Sequence, residues 1–309
     1  MLTKHNLYVI VKEIKKSVVT CMHLRRENMN LGILAHTFGR KKSSEIAELV
    51  NQNGYSFVQL ALAKALDEFD YHYGMLSPGL ANHVAEQFES QGVRIGVLGC
   101  YIDPIHPDPE VRRDGINRFK EHLRYARAFG TNIVATETGN IDTYLQQYPQ
   151  DYVEKGWDVL KQTVEELVEE AERWGVHIGI EPVANHTVAS STHMKRLMEE
   201  IPSSNISVVL DPVNLLNQYN VKNQDQVLQE AFSLLHDRIT LIHVKDFTMT
   251  ANGTKTSTMV GRGQLNYSLL FELLKLHKPH IHISLEEGIV DTLDESSSFL
   301  RGMWEQARS

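Results

Sequence analysis

Residues 176–183 read VHIGIEPV, a short apolar run that ends in a carboxylate and a proline. The run follows GWDVLKQTVEELVEEAERWG (156–175), in which apolar residues recur on one stripe of a helix. Gly175 stands between the two segments, at the position where a left-handed residue commonly ends a helix. The order of helix, glycine and buried strand predicts one unit of a parallel α/β sheet.

The same unit recurs along the chain, and its strands are apolar on both faces instead of alternating. The other predicted strands are LGILAHT (31–37), YSFVQLAL (55–62), VRIGVLGCY (93–101), NIVATETG (132–139), ISVVLDPVN (206–214), ITLIHVKD (239–246) and IHISLEEG (281–288). The other predicted helices span 43–54, 108–130, 223–238, 266–277 and 294–307, with Ser43 and Asp108 as N-caps. Eight strand–helix units predict a (β/α)₈ TIM barrel, and the lack of GxGxxG after the first strand argues against a Rossmann sheet.

Two segments stand apart from this repeat. Residues 1–28 do not fit it, and we predict an N-terminal extension outside the active site, or an upstream start before a native Met29. The single barrel domain is then expected over residues 29–309. Residues 67–73, DEFDYHY, form a long insertion after the second strand, of the kind that closes over active sites as a lid or lies in solvent as an acidic loop.

Composition narrows the function classes. The formal net charge of −8 and a sequence pI of about 6.0 argue against a nucleic-acid partner, which needs a basic footprint. The two cysteines, Cys21 and Cys100, form no CxxC pair, which argues against a thiolate zinc site and favours the reduced cytosol. The apolar run 7–11 is too short for a signal peptide or membrane span, and charged residues follow it at once. We therefore expect a cytoplasmic protein without a membrane partner.

Polar residues end four successive strands at the rim where active sites of such barrels lie. They are Glu181, Asp211, His243 and Glu286, whereas Glu287 points to the opposite face of its strand. Each alone is more often a helix cap, a core histidine or a surface ion pair. Three carboxylates that converge in a barrel mouth resist burial unless a positive charge lies among them, and no Lys or Arg occupies the matching strand position, although Lys245 is close. The pattern therefore predicts one divalent metal ion, with Mn²⁺, Co²⁺ or Mg²⁺ suited to oxygen-rich ligands and Zn²⁺ also compatible.

The pieces IGIEPV, VVLDPVN, LIHVKD, Gly261-Arg262-Gly263 and ISLEEG give the chain a family resemblance. Over about residues 30–309 it resembles the xylose isomerase-like TIM barrel superfamily, which includes sugar phosphate isomerases and epimerases, ketose 3-epimerases and keto-inositol isomerase. The resemblance implies that Glu181, Asp211, His243 and Glu286 bind the metal and that Glu181 and Glu286 transfer protons through an enediolate. It also implies a carbohydrate substrate and a homo-oligomer as a family-level expectation.

The same rim supplies candidate substrate-binding residues. They are His36, Gln59, Glu137, His186, Asn214, Lys245 and Arg262, with Asn185 beside them. Asn214 stands where the resembling epimerases have a substrate-contacting His, so it can hydrogen-bond but cannot shuttle a proton. Those epimerases also carry an Arg after the strand-7 His, and here the neighbours of Met249 are neutral, so Arg262 is expected to compensate. Lys245 is predicted to bind a substrate oxygen or phosphate, with Asp246 as its partner.

Three other functions stay open from the sequence. A dehydratase of a keto-inositol-type substrate would use the same enediolate and then expel a hydroxyl. A DNA-repair nuclease like endonuclease IV would need three zinc ions, and Glu137 and Asn214 stand where it needs histidines. A non-catalytic sugar-binding barrel would retain the ligands without using the acid/base pair.

Overall fold

The computed structural model describes residues 29–148, 153–250, 252–286 and 289–307, so the extension 1–28 and Glu287 lie outside the described residues. Eight parallel strands form a closed barrel in the order β1-β10-β7-β6-β5-β4-β3-β2. These strands are β1 (Asn30–Leu34), β2 (Phe57–Leu60), β3 (Arg94–Gly99), β4 (Ile133–Thr136), β5 (His177–Ile180), β6 (Ile206–Leu210), β7 (Ile239–Val244) and β10 (His282–Leu285). Each predicted strand is present, and the predicted (β/α)₈ barrel is confirmed.

The strands are buried on both faces because the barrel has two apolar layers. Inside the barrel, Phe57, Val97, Val209 and Leu241 pack with neighbouring strand residues, and a larger core lies between strands and helices. The ring of Phe57 fills the space beside Gly32, where a Cβ atom would lie 2.6 Å from the ring. Glycine at that position therefore allows the barrel to hold an aromatic side chain at its centre.

The helices surround the barrel. They are α1 (Ser43–Gln52), α2 (Leu62–Ala65), α3 (Pro78–Ser90), α4 (Pro109–Tyr125), α5 (Ile141–Gln147), α6 (Val153–Trp174), α7 (Ser191–Glu200), α8 (Gln224–Leu235), α9 (Tyr267–His277) and α10 (Leu293–Gln306). The six predicted helices are confirmed within a few residues, whereas α2, α3, α5 and α7 are additional to the prediction. Gly175 adopts a φ of +60° after α6, as the helix-ending role requires.

One predicted helix cap is right and one is wrong. Asp108 caps α4, and its Oδ1 accepts a hydrogen bond from the Glu110 amide at 2.8 Å. Ser43 instead lies inside α1, after an N-cap at Lys42 whose side chain forms no cap hydrogen bond. Glu68 Oε1, from the loop after β2, accepts the Ser43 amide at 3.2 Å, so a distant carboxylate replaces the local cap.

The insertion after β2 is anchored to α4 by a buried carboxylate. Glu121 is 4% exposed, and its Oε1 accepts the amides of Gly74 at 3.0 Å and Leu76 at 3.1 Å. Its Oε2 accepts the Tyr71 hydroxyl at 3.0 Å. These three hydrogen bonds, two from backbone amides and one from a side chain, hold residues 71–76 against α4, while Asp67, Glu68 and Asp70 are exposed.

An antiparallel hairpin of β8 (Asp246–Met249) and β9 (Lys255–Thr258) follows β7 at the carboxyl rim. Its first residue, Asp246, is 1% exposed and holds the glycine loop 260–265. The carboxylate accepts the amides of Phe247, Gly261, Gly263 and Leu265 at 2.9–3.1 Å. Among the described helices, none combines the length and the apolar character needed to cross a bilayer.

Candidate metal centre and active site

The ends of four neighbouring strands bring three carboxylates and one imidazole to a common point. Glu181 and Glu286 extend the parallel ladder one residue past β5 and β10, since their amides donate to Thr136 O at 3.0 Å and Val244 O at 2.9 Å. Asp211 follows β6 directly, and His243 lies on β7. Glu181, Asp211, His243 and Glu286 each offer one donor atom within 4.8 Å of the others. No other group of three or more such ligands occurs among the described residues.

The atoms that face this point are identifiable from their contacts. Nδ1 of His243 lies 3.4 Å from Oε2 of Glu181 and 3.1 Å from Oε2 of Glu286. Nδ1 of His243 and Oδ2 of Asp211 are buried, and charged groups of the same cluster contact them: the carboxylates of Glu181 and Glu286 contact Nδ1, and the Lys245 ammonium lies 3.0 Å from Oδ2. Three carboxylates gathered around one point are costly to bury unless cations lie among them, and a divalent metal ion is one cation that these donor atoms fit.

The other polar atom of each ligand is held by the protein. Asn214 Nδ2 donates to Glu181 Oε1 at 2.6 Å, and the amides of Val213 and Asn214 donate to Asp211 Oδ1 at 2.8 and 3.1 Å. His243 Nε2 lies 3.0 Å from Gln59 Oε1, and Lys245 Nζ donates to Glu286 Oε1 at 3.0 Å. Such outer contacts orient metal ligands, because they fix each side chain while one donor atom stays available.

The electrostatics of the centre follow from its burial. Burial lowers the pKa of His243, but the charges of Glu181 and Glu286 outweigh it and raise that pKa to about 10. Burial would raise the pKa of Glu286, yet the contacts with His243 and Lys245 lower it to about 2. Burial raises the pKa of Asp211 in spite of the nearby Lys245 charge. When no metal ion is bound to these carboxylates, the His243 imidazole therefore carries a proton.

The partners of Lys245 differ from the predicted one. Its Nζ lies 3.0 Å from Asp211 Oδ2 and 3.0 Å from Glu286 Oε1, so the ammonium is part of the carboxylate cluster. Asp246 is not its partner, because that carboxylate is turned to the glycine loop. The sequence places Lys245 only close to the carboxylates; its long side chain reaches from outside the matching strand position into their cluster.

A cavity of about 490 Å³ opens beside the centre. Its lining includes His36, Asn214, Lys245 and Glu286, all of them predicted site residues. Gln59, 1% exposed, lies beneath His243 and not in the lining of this cavity. The volume suits a small molecule and the polar lining suits one that carries several oxygen atoms.

Glu137 and His186 form a second pair on the rim. Glu137 Oε2 lies 3.5 Å from His186 Nδ1, and an isolated bridge joins Asn140 to His186. Burial, followed by the charges of Glu181 and Glu286, raises the pKa of Glu137 to about 7. A carboxyl group with that pKa can donate or accept a proton near neutral pH.

Arg262 lies away from the cavity in this structure. Its side chain is 71% exposed, and Nη2 lies 3.8 Å from Glu295 Oε2 on α10. Asn185, the other flanking residue of the prediction, is exposed beside His186. The sequence predicts that Arg262 binds substrate in place of the arginine that the resembling epimerases carry after the strand-7 His. This stays a prediction, and no contact of Arg262 among the described residues supports it.

Sequence reasoning missed Tyr101, Lys64 and Lys255. Tyr101 ends the predicted strand 93–101, so the rim argument was sufficient to find it, and its hydroxyl accepts from Gln59 Nε2 at 2.9 Å. Lys64 Nζ lies 3.9 Å from the centre of the Tyr101 ring. Lys255 Nζ, from the hairpin, donates to Val213 O at 2.7 Å and Leu216 O at 2.8 Å and lines the cavity. No sequence signal marks the two lysines.

Comparisons with known proteins agree with this architecture. The sequence profile of a family described as xylose isomerase-like TIM barrel matches residues 47–303. No curated protein sequence matches the chain. A D-tagatose 3-epimerase-like protein has a similar structure, with a TM-score of 0.72, 18% identity, and coverage of 90% of this chain and 97% of that one.

Two further solved structures are similar to the chain. The IOLI protein with a bound zinc atom has a TM-score of 0.66 at 18% identity, over 89% of this chain and 96% of its own. The 3-keto-D-glucoside 4-epimerase YcjR from E. coli has a TM-score of 0.64 at 14% identity, over 89% and 99%. At such identities the likeness establishes the fold, and activity has to be argued from the site.

Proposed function

The chain belongs to the xylose isomerase-like TIM barrel family, and from that premise we propose that it is a divalent-metal-dependent isomerase or epimerase of a sugar, keto-sugar or sugar phosphate. One observation carries the proposal. Glu181, Asp211, His243 and Glu286 each keep one donor atom directed at a shared point while a protein partner holds the other polar atom. Protein contacts that orient each ligand are typical of metal sites and are not expected for a cluster of acids on the surface.

Glu181, Asp211, His243 and Glu286 would hold the ion. Oxygen-rich ligation with one imidazole suits Mn²⁺, Co²⁺ or Mg²⁺, and Zn²⁺ is also compatible. When bound, such an ion acts as a Lewis acid that polarises a carbonyl and makes the adjacent C–H more acidic. Counted with the Lys245 ammonium, three carboxylates and a dication leave no net charge in this buried centre, which lessens the cost of burying it.

Glu181 and Glu286 would transfer the proton. Their Oε2 atoms lie 3.4 and 3.1 Å from Nδ1 of His243, so two carboxylates approach the same space from different strands. In an epimerisation one carboxylate removes the C–H proton and the other returns a proton to the opposite face; in an isomerisation one carboxylate does both. Glu286 lines the cavity, and its side chain is 30% exposed against 6% for Glu181, so Glu286 would take the first proton.

The remaining cavity residues would bind sugar oxygens. Lys245 offers an ammonium beside Glu286, His36 offers an imidazole from the end of β1, and Asn214 offers the carbonyl oxygen of the amide that holds Glu181. D-tagatose and a 3-keto-D-glucoside are suitable first substrates, because solved structures of this fold carry the names of epimerases for those sugars.

A dehydratase is the second candidate, and the Glu137–His186 pair favours it. Expulsion of a hydroxyl needs a general acid besides the base that forms the enediolate, and Glu137, with a pKa raised to about 7, would supply that proton. The two reactions differ in product mass, since a lyase releases water and an isomerase does not.

The test is a screen of Mn²⁺, Co²⁺, Mg²⁺ and Zn²⁺ against a panel of ketoses, keto-glucosides and their phosphates, in deuterated water with product mass analysis. We expect incorporation of one deuterium without loss of mass from water. Glu181→Gln and Glu286→Gln should each reduce turnover by at least about a hundredfold, as removal of an acid/base group does, while the exposed-site variant Glu305→Gln should be unaffected. Full turnover in both glutamine variants would overturn the mechanism.

A further inference from the structure

The orientation of the Gln59 amide is fixed by His243. Nδ1 of His243 faces the two carboxylates of the metal centre, where it would bind the ion, and Nε2 lies on the Gln59 side of the ring. A histidine that binds a metal through Nδ1 carries its hydrogen on Nε2, and the atom 3.0 Å from Nε2 is the acceptor Oε1 of Gln59. Oε1 of Gln59 therefore faces His243, and its NH₂ group faces the other way.

That orientation determines what the Tyr101 hydroxyl can do. Gln59 Nε2 donates to the Tyr101 oxygen at 2.9 Å, so the oxygen is an acceptor in this contact and its own hydrogen has to go elsewhere. Among the described residues, the Tyr101 hydroxyl forms this one hydrogen bond. A phenol that accepts from a fixed amide retains one directed donor.

The ring of Tyr101 is held in place. It packs over Gly99 on β3, where a Cβ atom would lie 3.2 Å from ring atom Cε2. Lys64 Nζ covers the ring at 3.9 Å from its centre. Burial, then the charges of Glu181 and Glu286, raise the pKa of Tyr101, so the hydroxyl keeps its hydrogen throughout the physiological range.

We propose that Tyr101 contacts the substrate, donating its hydroxyl hydrogen to a sugar oxygen beside the metal centre, and that Gln59 is its positioning residue. The inference rests on the proposed function and adds a donor from the segment after β3 to a site whose metal ligands come from the ends of β5, β6, β7 and β10. An enediolate oxygen, which gains negative charge as the C–H proton leaves, is the acceptor that profits most from such a donor. The chain His243–Gln59–Tyr101 thereby links the metal ligand and the substrate through one buried amide.

The test uses glycolohydroxamate, a small ligand that chelates through two oxygens and resembles an enediolate, titrated calorimetrically into the Mn²⁺-loaded protein. Tyr101→Phe removes the hydroxyl and keeps the ring on Gly99 and under Lys64. We expect probe affinity to fall about ten- to a hundredfold, as for a lost hydrogen bond to a charged acceptor, with Mn²⁺ affinity within about threefold of wild type. Tyr148→Phe, whose hydroxyl donates to Pro107 O at 2.9 Å, is the matched control and should bind as wild type.

Gln59→Glu tests the positioning role. A carboxylate at residue 59 still accepts from His243 Nε2, but its second oxygen accepts the Tyr101 hydrogen and removes it from the substrate. Probe affinity should fall as in Tyr101→Phe, and the double variant should be no weaker than the weaker single variant.

The outcomes separate the two proposals. If wild type binds Mn²⁺ and probe while Tyr101→Phe binds the probe equally well, the Tyr101 inference is wrong and the proposed function stands. If the two variants lose affinity additively, Gln59 does not position Tyr101. If wild type binds no divalent ion, the proposed function fails, and the Tyr101 inference fails with it.

Discussion

Nζ of Lys245 lies 3.0 Å from Oδ2 of Asp211, which places a lysine ammonium inside the cluster of acids that defines the centre. Asp211 is fully buried, and burial alone raises its pKa. The ammonium opposes that shift, and the charges of Asp211 and Glu286 in turn raise the pKa of Lys245 against its own burial. The carboxylates are thus partly compensated by the chain itself, and a dication would complete the compensation.

Metal binding should stabilise the fold through Asp211. An ion that binds the folded chain alone, at a hundred times its dissociation constant, adds about 2.7 kcal/mol to the free energy of unfolding. We expect Mn²⁺ to raise the melting temperature of wild type and EDTA to reverse the effect. Asp211→Asn should lose this response in differential scanning calorimetry, whereas Asp114→Asn, at an exposed acid on α4, should retain it. An equal response in the two variants would place the ion elsewhere.

Removal of the Lys245 charge should destabilise the chelated protein. Lys245→Met leaves the carboxylates of Asp211 and Glu286 without their ammonium partner, and breaking a buried pair from one side costs about 3–5 kcal/mol. Urea unfolding in EDTA measures the loss, and saturating Mn²⁺ should reduce it. Lys195→Met, at an exposed lysine 3.8 Å from Glu199, is the control with little expected change. A wild-type unfolding midpoint for Lys245→Met would contradict this view of the cluster.

Asn214 should support metal binding by orienting Glu181. Its Nδ2 donates to Glu181 Oε1 at 2.6 Å, and loss of such an outer contact typically lowers metal affinity or activity by about 10- to 100-fold. We expect Asn214→Ala to show that loss in Mn²⁺ titrations and Asn214→Asp to be worse, because it sets a second negative charge against Glu181. Asn53→Ala, which removes a contact to Leu49 O at the end of α1, is the comparison. Undiminished affinity in Asn214→Asp would be incompatible with this role.

Glu137 should make stability depend on pH in the metal-free protein. Its pKa rises from 4.5 to about 7 on folding, so the folded chain holds a proton that the unfolded chain releases. The stabilising contribution of that proton is complete below about pH 4.5 and is lost as pH rises through about 7. Glu137→Gln, which is neutral at every pH, should therefore gain stability over wild type between pH 5 and 8.

Chemical unfolding at stepped pH in EDTA measures this difference, with Glu305→Gln as the control for an exposed glutamate. A bound dication favours the ionised form of Glu137, so saturating Mn²⁺ should reduce the difference in unfolding free energy between wild type and Glu137→Gln. Parallel stability curves for wild type and Glu137→Gln across this range would refute the shifted pKa.

The glycine loop should not tolerate a side chain at Gly263. A Cβ atom there would collide with Oδ1 of Asp246 and lie 2.5 Å from the Phe247 carbonyl oxygen, where four amides converge on the Asp246 carboxylate. We expect Gly263→Ala to cost about 1–3 kcal/mol, as overpacking does. Gly302→Ala, in α10 with open space around its Cβ position, should instead stabilise by about 0.5–1 kcal/mol. Thermal unfolding of the two variants compares them directly, and equal melting temperatures would argue against a rigid loop.

The sequence by itself determined the barrel and the residues that end its strands. Apolar runs such as 206–210 and 239–244 are buried on both faces, and that pattern is local enough to be read from one chain. Since parallel strands all end at the same rim, Glu181, Asp211, His243 and Glu286 were also predictable from the position of each at a strand end. Cellular location and oligomeric state stay predictions.

Tertiary structure alone decided the partners of those residues. Asn214 meets Glu181 across 33 positions because β5 and β6 are neighbours in the barrel. Gln59 meets His243 across 184 positions because the closed barrel brings β2 and β7, three strands apart, to a common interior. The reach of Lys245 into the cluster, the cap that Glu68 supplies to α1 and the outward Arg262 depend on side-chain paths through space. Strand periodicity specifies the direction in which each side chain points. Only the packed barrel specifies which side chain from a distant part of the sequence it contacts.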